Sequence, residues 1–229
     1  MKKYSKCFFV AVFVSFLLMT KMFCSDLPEK NYVVKVLTGA QVNEFLPFVA
    51  QERIANFCEY PYLYRGNLDY ELHYLNPYAQ WHDTAIAVAY LENTPVGFLT
   101  GTSLAAFDQH FKGTIVGFKE AGFKPDSWYY FAEVIVLVQH RGQCLCDQLF
   151  KALENYACQR GYKSGCFVTV VRVDNHPQKP QDYKSPDFIW HRLGYNRSSI
   201  VVSFDWPTIQ VDGSVVDQYH PLIFWLKNL

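Results

Sequence analysis

The chain has 229 residues, half of them hydrophobic, 17% aromatic and 18% charged, which suffices to fill a core and excludes an intrinsically disordered chain. The length suits one domain, with or without a small appendage, and excludes two catalytic lobes of ordinary size. Lys+Arg and Asp+Glu both number 21, but Lys2, Lys3, Lys6 and Lys21 crowd the first 25 residues, where no acid occurs, so the remainder is net acidic and lacks the basic surface that a grip on nucleic acid requires.

Residues 1–25 combine that basic start with an apolar run from Cys7 to Met19 and a polar exit at Thr20 and Lys21, the layout of a secretory signal. The run is short for a membrane span, which takes about 20 apolar residues. Export or membrane association through this leader is therefore expected, with membrane contact confined to residues 7–20 and a cytoplasmic chain as the alternative.

Tyr32 to Leu37 alternates and is rich in β-branched residues, so it reads as a first strand closed by Thr38-Gly39. A helix is expected from about Ala40 to Asn56, kinked or split at Pro47. Tyr60-Pro-Tyr-Leu-Tyr64 reads as an aromatic loop that either lines a site or covers the sheet, and Leu68 to Leu75 as a second helix. Thr84 to Leu91 and Val96 to Leu104 flank Glu92-Asn-Thr-Pro95 as a hairpin, and Phe107 to Ser127 leaves the sheet. Trp128 to Val138 is a long buried strand. After it, Leu145, Leu149, Phe150, Leu153, Tyr156 and Ala157 share one helical face, which Gly161 ends.

Cys166 to Val171 is a further strand. Ser185-Pro186 supplies a cap and an N1 proline for a short helix stopped by Gly194. Ser198 to Phe204 is a strand, and the tail carries the apolar Leu222 to Leu226. The organisation is a leader (1–25), one α/β domain (26–206) with a single mixed, mostly antiparallel sheet flanked by helices, and a C-terminal extension (207–229) packing on it. Beyond the leader, Cys58, Cys144, Cys146, Cys158 and Cys166 are an odd set without C-x-x-C spacing, and the histidines lack zinc-ligand spacing. Neither a disulfide framework nor a metal site is expected; the thiols read as small buried hydrophobes.

The connection Arg141-Gly-Gln-Cys-Leu-Cys146 carries a strand directly into a helix. The start of a helix presents unpaired N–H groups and the positive end of the macrodipole, which suit phosphate. Gly142 is the only glycine there, so neither the P-loop nor the dinucleotide fingerprint applies.

Val134 to Arg141 followed by Gly142-Gln-Cys-Leu-Cys146, together with Phe188-Ile-Trp-His-Arg-Leu-Gly-Tyr195, resembles the GNAT superfamily of acetyl-CoA-dependent N-acetyltransferases: a long strand, Q/R-x-x-G-x-G/A at a helix start, and a late helix ending in L-G-F/Y. The resemblance spans about residues 32–204 and implies a GNAT-like acyltransferase fold, with acetyl-CoA and an amine acceptor, a small molecule or a protein, as partners. It further implies that main-chain groups of Val134, Ile135 and Val136 line the acetyl and pantetheine arm, and that Arg141, Gly142, Gln143, Cys144, Leu145 and Cys146 hold the pyrophosphate. Two glycine positions of that motif are cysteine here, Cys144 and Cys146. A side chain at Cys144 crowds the phosphates or, alternatively, offers a thiol activated by the helix start.

Acetylation of an amine requires removal of the ammonium proton. Glu133, in an otherwise apolar strand beside the expected cofactor-lining residues, is the expected base, since burial raises a carboxyl pKa; the alternative is a structural pair with a base such as Arg172. Many family members place a tyrosine acid where Trp190 stands, and Tyr183 or His176 are the substitutes. The competing readings are a non-catalytic binding module on this fold and an exported interaction protein.

Overall fold

The computed structural model describes residues 31–110 and 115–229; the expected leader lies outside the described residues. The elements are β1 (Tyr32–Thr38), α1 (Ala40–Phe57), α2 (Leu68–Leu75), β2 (Ala85–Leu91), β3 (Thr94–Ser103), α3 (Leu104–His110), α4 (Val116–Glu120), β4 (Trp128–Val136), α5 (Leu145–Gln159), β5 (Ser164–Val170), α6 (Asp187–Arg192), β6 (Asn196–Ile209) and β7 (Val215–Asn228). The strands form one sheet in the order β1-β2-β3-β4-β5-β7-β6. Pairs β2–β3, β3–β4, β5–β7 and β6–β7 are antiparallel, and β4–β5 is parallel. Among the described residues no helix is long and apolar enough to cross a membrane.

Helix α1 continues through Pro47 instead of splitting. An interior proline costs about 3 kcal/mol. Val42, Leu46, Val49 and Ala50 are all buried on the sheet-facing stripe, and fully burying a Val or Leu contributes about 1.5–3 kcal/mol, so packing outweighs the proline. Helix α5 follows its sequence pattern, burying Leu145, Leu149, Phe150, Leu153 and Ala157. Gly161, at φ 91°, takes the left-handed residue that ends it. In α6 the cap falls one residue later than expected, on Pro186, while the Ser185 hydroxyl hydrogen-bonds the Asp187 carboxylate at 2.6 Å.

Residues 207–229, expected as an extension packing on the domain, belong to the sheet apart from a turn over residues 210–214 and Leu229. They complete β6 and form β7, which inserts between β5 and β6. Among the described residues only Cys166 is buried as expected of the thiols; Cys58, Cys144 and Cys158 lie at chain turns and helix ends and are exposed, and Cys146 is half-buried, all free.

Strand β4 positions the site. Its register against β3 runs Leu99↔Val134 but then Gly101↔Phe131, so β4 uses one residue more than β3 around Thr100. This bulge reverses the alternation of faces: Tyr130 packs on Phe107 of α3 and Glu133 meets Arg53 of α1, while Phe131 points to Phe150 of α5. A bulge also bends its strand. Strands β4 and β5 pair only at Trp128↔Ser164, Tyr129↔Gly165 and Tyr130↔Cys166, and beyond the bulge they part.

Candidate active site

The gap between the diverging strands is a cleft of about 600 Å³. Phe131 to Val136 of β4 form one wall, Phe167 to Val170 of β5 the other, and the start of α5 with α6 closes the end. The side chain of Ile135 lies in the core with Phe98 and Val88, so this residue faces the cleft through its main chain.

Of the residues expected to hold the cofactor, Val134, Ile135, Val136, Arg141, Gly142, Cys144, Leu145 and Cys146 all line this cleft; Gln143 does not. Gly142 has φ 77°, and a Cβ there would meet nothing within 4 Å, so backbone conformation and not crowding selects glycine. Cys144 stands at φ 54°, ψ 22° and caps α5 without a side-chain hydrogen bond. A left-handed conformation favours glycine, which gives the family's glycine at this position its reason and marks Cys144 as a strained departure. The Cys146 thiol is pushed up to about 12 by burial, reinforced by Asp147, so it behaves as a packing group. Arg141 folds inward: its Nε donates to the Val136 carbonyl at 3.0 Å and Nη2 to Asn56 at 3.3 Å.

Trp190 lies against Phe150 and Phe167, and its Nε1, buried, has no hydrogen-bond partner. Tyr183 lines the cleft edge to Tyr60 at 4.7 Å. His176 instead accepts the Gln178 N–H through Nδ1 at 3.2 Å, a loop-capping role.

Glu133 is held by three hydrogen bonds to two partners. One carboxylate oxygen accepts from Nη1 of Arg53 and the other from the Thr100 hydroxyl, whose oxygen accepts the Glu133 N–H at 3.1 Å. Arg53 also donates through Nε to Glu71 at 2.5 Å, and its guanidinium lies over the rings of Tyr74 and Phe57 at 4.7 and 5.2 Å. The partner of Glu133 is therefore Arg53, not Arg172. Arg172 donates to the carbonyls of Pro61 and Tyr62 and to His220. Burial raises the Glu133 carboxyl above the usual carboxylate range, with Arg53 and Thr100 opposing it. Burial by itself would lower Arg53, but the carboxylates of Glu133 and Glu71, with Tyr74, more than reverse this and keep it protonated.

Arg53 and Glu71 are not among the expected site residues, although the sequence carries a signal for both. Val42, Leu46, Val49, Arg53 and Phe57 follow one helical stripe, and Glu71, Leu75 and Tyr78 another. A cation and an anion stand on faces that are otherwise buried, alongside Glu133 in its apolar strand.

A second cavity, about 150 Å³, shares Phe57, Tyr62, Ala132, Glu133 and Val168 with the cleft. It extends between α1, α2 and β6, where Tyr64, Tyr74, Phe204 and Trp206 line it. The loop over residues 60–64 is fixed here: Tyr64 N–H bonds the Phe57 carbonyl at 2.7 Å, and Trp206 Nε1 bonds the Tyr62 carbonyl at 3.0 Å. Among the described residues no group of three or more His, Cys, Asp or Glu is placed to hold a metal ion.

The motifs implied a long strand running into a helix start, and β4 followed by α5 is that pair; the bulge and the parting from β5 are additions of the structure. The sequence model of the acetyltransferase (GNAT) family matches residues 53–180, more than half of the chain. The chain belongs to the GNAT family of acetyltransferases.

Solved GNAT structures agree in fold. An N-acetyltransferase from Staphylococcus aureus Mu50 superposes with a TM-score of 0.51 at 13% identity, covering 86% of this chain and 98% of that one. A ribosomal-protein-alanine N-acetyltransferase from Brucella melitensis gives 0.52 at 15%, covering 86% and 99%. A polyamine N-acetyltransferase from Drosophila melanogaster gives 0.53 at 13%, covering 87% and 100%. No curated protein matches the chain in sequence. Family membership supports acetyl transfer and binding of acetyl-CoA; the cleft, the uncapped start of α5 and the open backbone at Gly142 suit that donor.

Proposed function

We propose that this GNAT protein transfers acetyl from acetyl-CoA to the nitrogen of a primary amine, with Glu133 accepting the ammonium proton. The observation that carries this reading is the place of Glu133, a buried acid that lines both the cleft and the smaller cavity. Val134 to Val136 supply main-chain groups along the acetyl and pantetheine arm, in the manner of a strand added to a sheet edge, and Arg141 to Cys146 bring the helix-start N–H groups to the pyrophosphate. An ionised carboxylate has about four acceptor sites. With two occupied by Arg53 and Thr100, Glu133 keeps capacity for the amine proton, directly or through one water. Deprotonation leaves a neutral amine to attack the thioester carbon. The C–N bond forms, the C–S bond breaks and the thiolate departs; with a thiol pKa of about 8.5 this requires little acid assistance.

The test is Glu133→Gln, which keeps shape and hydrogen bonding while removing the basic function. Turnover should fall by roughly 10²–10⁴, the usual worth of a general base, while calorimetric affinity for acetyl-CoA stays within about threefold of wild type. Unchanged turnover eliminates Glu133 as the base. Trp190 in the tyrosine position favours a second reading, a binding protein on this fold; it requires that wild type bind acetyl-CoA yet release no CoA with any amine.

A further inference from the structure

The smaller cavity has features that select its occupant. Nine of its fifteen lining residues are aromatic, and its charged lining groups are Arg53, Glu133 and Asp205. Arg53 is the only lining cation and is already committed, with Glu133 on Nη1, Glu71 on Nε and aromatic rings beside its plane. The Arg53–Glu71–Glu133 group carries a formal charge of one minus. Glu71 and Glu133 are almost fully buried, and exposed Asp205 adds a second negative charge at the rim.

A carboxylate or phosphate on the acceptor would join a cluster whose two carboxylates already outnumber its one guanidinium, in a site where charge is poorly screened. An ammonium is favoured there by the charge and by the ring faces. The volume sets the body, because a cavity of about 150 Å³ admits a group the size of benzene.

We infer that the acceptor is a compact primary amine with an uncharged apolar body of about one ring, lacking carboxylate and phosphate, its ammonium at Glu133 and its body among Tyr62, Tyr74, Tyr130 and Trp206. This rests on the acetyl-transfer reading and adds the substrate class. It sets aside α-amino acids, whose carboxylate lies one bond from the amine-bearing carbon, and multiply charged amines, because one ammonium already balances the one-minus Arg53–Glu71–Glu133 cluster and a second would be desolvated without a buried carboxylate.

The probes are phenethylamine, phenylalanine, 1,4-diaminobutane and a lysine-containing peptide. CoA release by the wild-type protein is measured with each, and equilibrium binding of each is measured by calorimetry. Phenethylamine should exceed phenylalanine by at least 100-fold in kcat/KM and the other two by at least tenfold. The exposed rim variant Asp205→Lys should raise KM for phenethylamine several-fold, an effect that weakens with added salt.

If another probe is the better acceptor, the inference falls and acetyl transfer stands. If no probe is acetylated but phenethylamine binds at least tenfold tighter than the others, the cavity assignment stands and the acetyl-transfer reading falls. Failure of phenethylamine both to bind and to react overturns the inference, and an unaltered KM in Asp205→Lys removes the rim from it.

Discussion

Replacing Arg53 by methionine tests the buried ion group that centres the site. The change keeps an apolar stem of similar length on α1 but removes the one cation between Glu71, fully buried, and Glu133, 5% exposed. Breaking a buried pair by removing one partner typically costs about 3–5 kcal/mol. The structure also sets a ceiling, because a stranded carboxylate can take up a proton instead of remaining charged. One proton, taken up by either glutamate, restores the one-minus charge of the wild-type group, and for an unfolded pKa of about 4.3 holding it at pH 7 spans about 2.7 units at about 1.36 kcal/mol each, or about 3.7 kcal/mol. At pH 5 the same ceiling is about 1 kcal/mol.

The sign follows from proton counting. In the variant the folded-state pKa lies further above the unfolded value, so the native protein binds the extra proton and stability is lost as pH rises. The stability deficit of Arg53→Met against wild type, read from urea denaturation at pH 5, 6, 7 and 8, should thus grow from about 1 kcal/mol at pH 5 to about 3–4 kcal/mol at pH 7. A deficit constant across that range would refute the electrostatic reasoning and reduce Arg53 to a packing residue.

The remaining predictions concern the proton, the loop and the sheet. Because burial raises the Glu133 carboxyl, kcat/KM should increase with pH through an ionisation above the ordinary carboxylate range, and this limb should vanish in Glu133→Gln; a wild-type limb at the ordinary glutamate value would contradict the assignment. At Cys144, φ 54°, a β-branched replacement is penalised in the left-handed region, so Cys144→Val should lose about 1–2 kcal/mol in thermal denaturation while Cys144→Gly stays close to wild type. At Gly101 a Cβ would come within 2.5 Å of the Tyr129 ring and 3.0 Å of Leu153; Gly101→Ala should therefore destabilise by about 1–3 kcal/mol, the cost of overpacking.

Periodicity located most elements because their residues obey one pattern at a time. Leu68 to Leu75 and the apolar face of α5 stand where the spacing puts them. What periodicity missed is set by long-range pairing. The bulge at Ala132 and Glu133 depends on Thr100, 33 residues away, whose hydroxyl replaces a ladder partner for the Glu133 N–H. Nothing local in Phe131-Ala-Glu-Val134 marks a change of face. β7 was likewise hidden, since Val215 to Tyr219 carries no buried face and only Leu222 to Leu226 reads as an apolar run; its place follows from pairing with Val170 back to Ser164. Glu133 was legible because a carboxylate in an apolar strand is conspicuous, whereas Arg53 hid among the polar residues that any helix carries.

The two halves of the site are built by different means. The larger cleft exists because β4 bulges and leaves β5, so it belongs to the backbone and accommodates Cys144 at a left-handed position. The smaller cavity depends on side chains that meet through a chain of hydrogen bonds. Arg172 holds the carbonyls of Pro61 and Tyr62 and donates to Nδ1 of His220 at 2.7 Å, and Nε2 of His220 lies 2.7 Å from the Thr208 hydroxyl, which donates to the Trp206 carbonyl at 2.9 Å. His220 can accept from Arg172 only while neutral, and burial together with Arg172 lowers its pKa to about 4, so the lone pair is available at neutral pH. Phe204, Asp205, Trp206 and Leu222 all lie beyond residue 180, where the family match ends. On the proposed assignment of the two cavities, acceptor choice is written largely in β6 and β7 and in the tie that Arg172 and His220 make to the aromatic loop, and acetyl donation in β4 and α5.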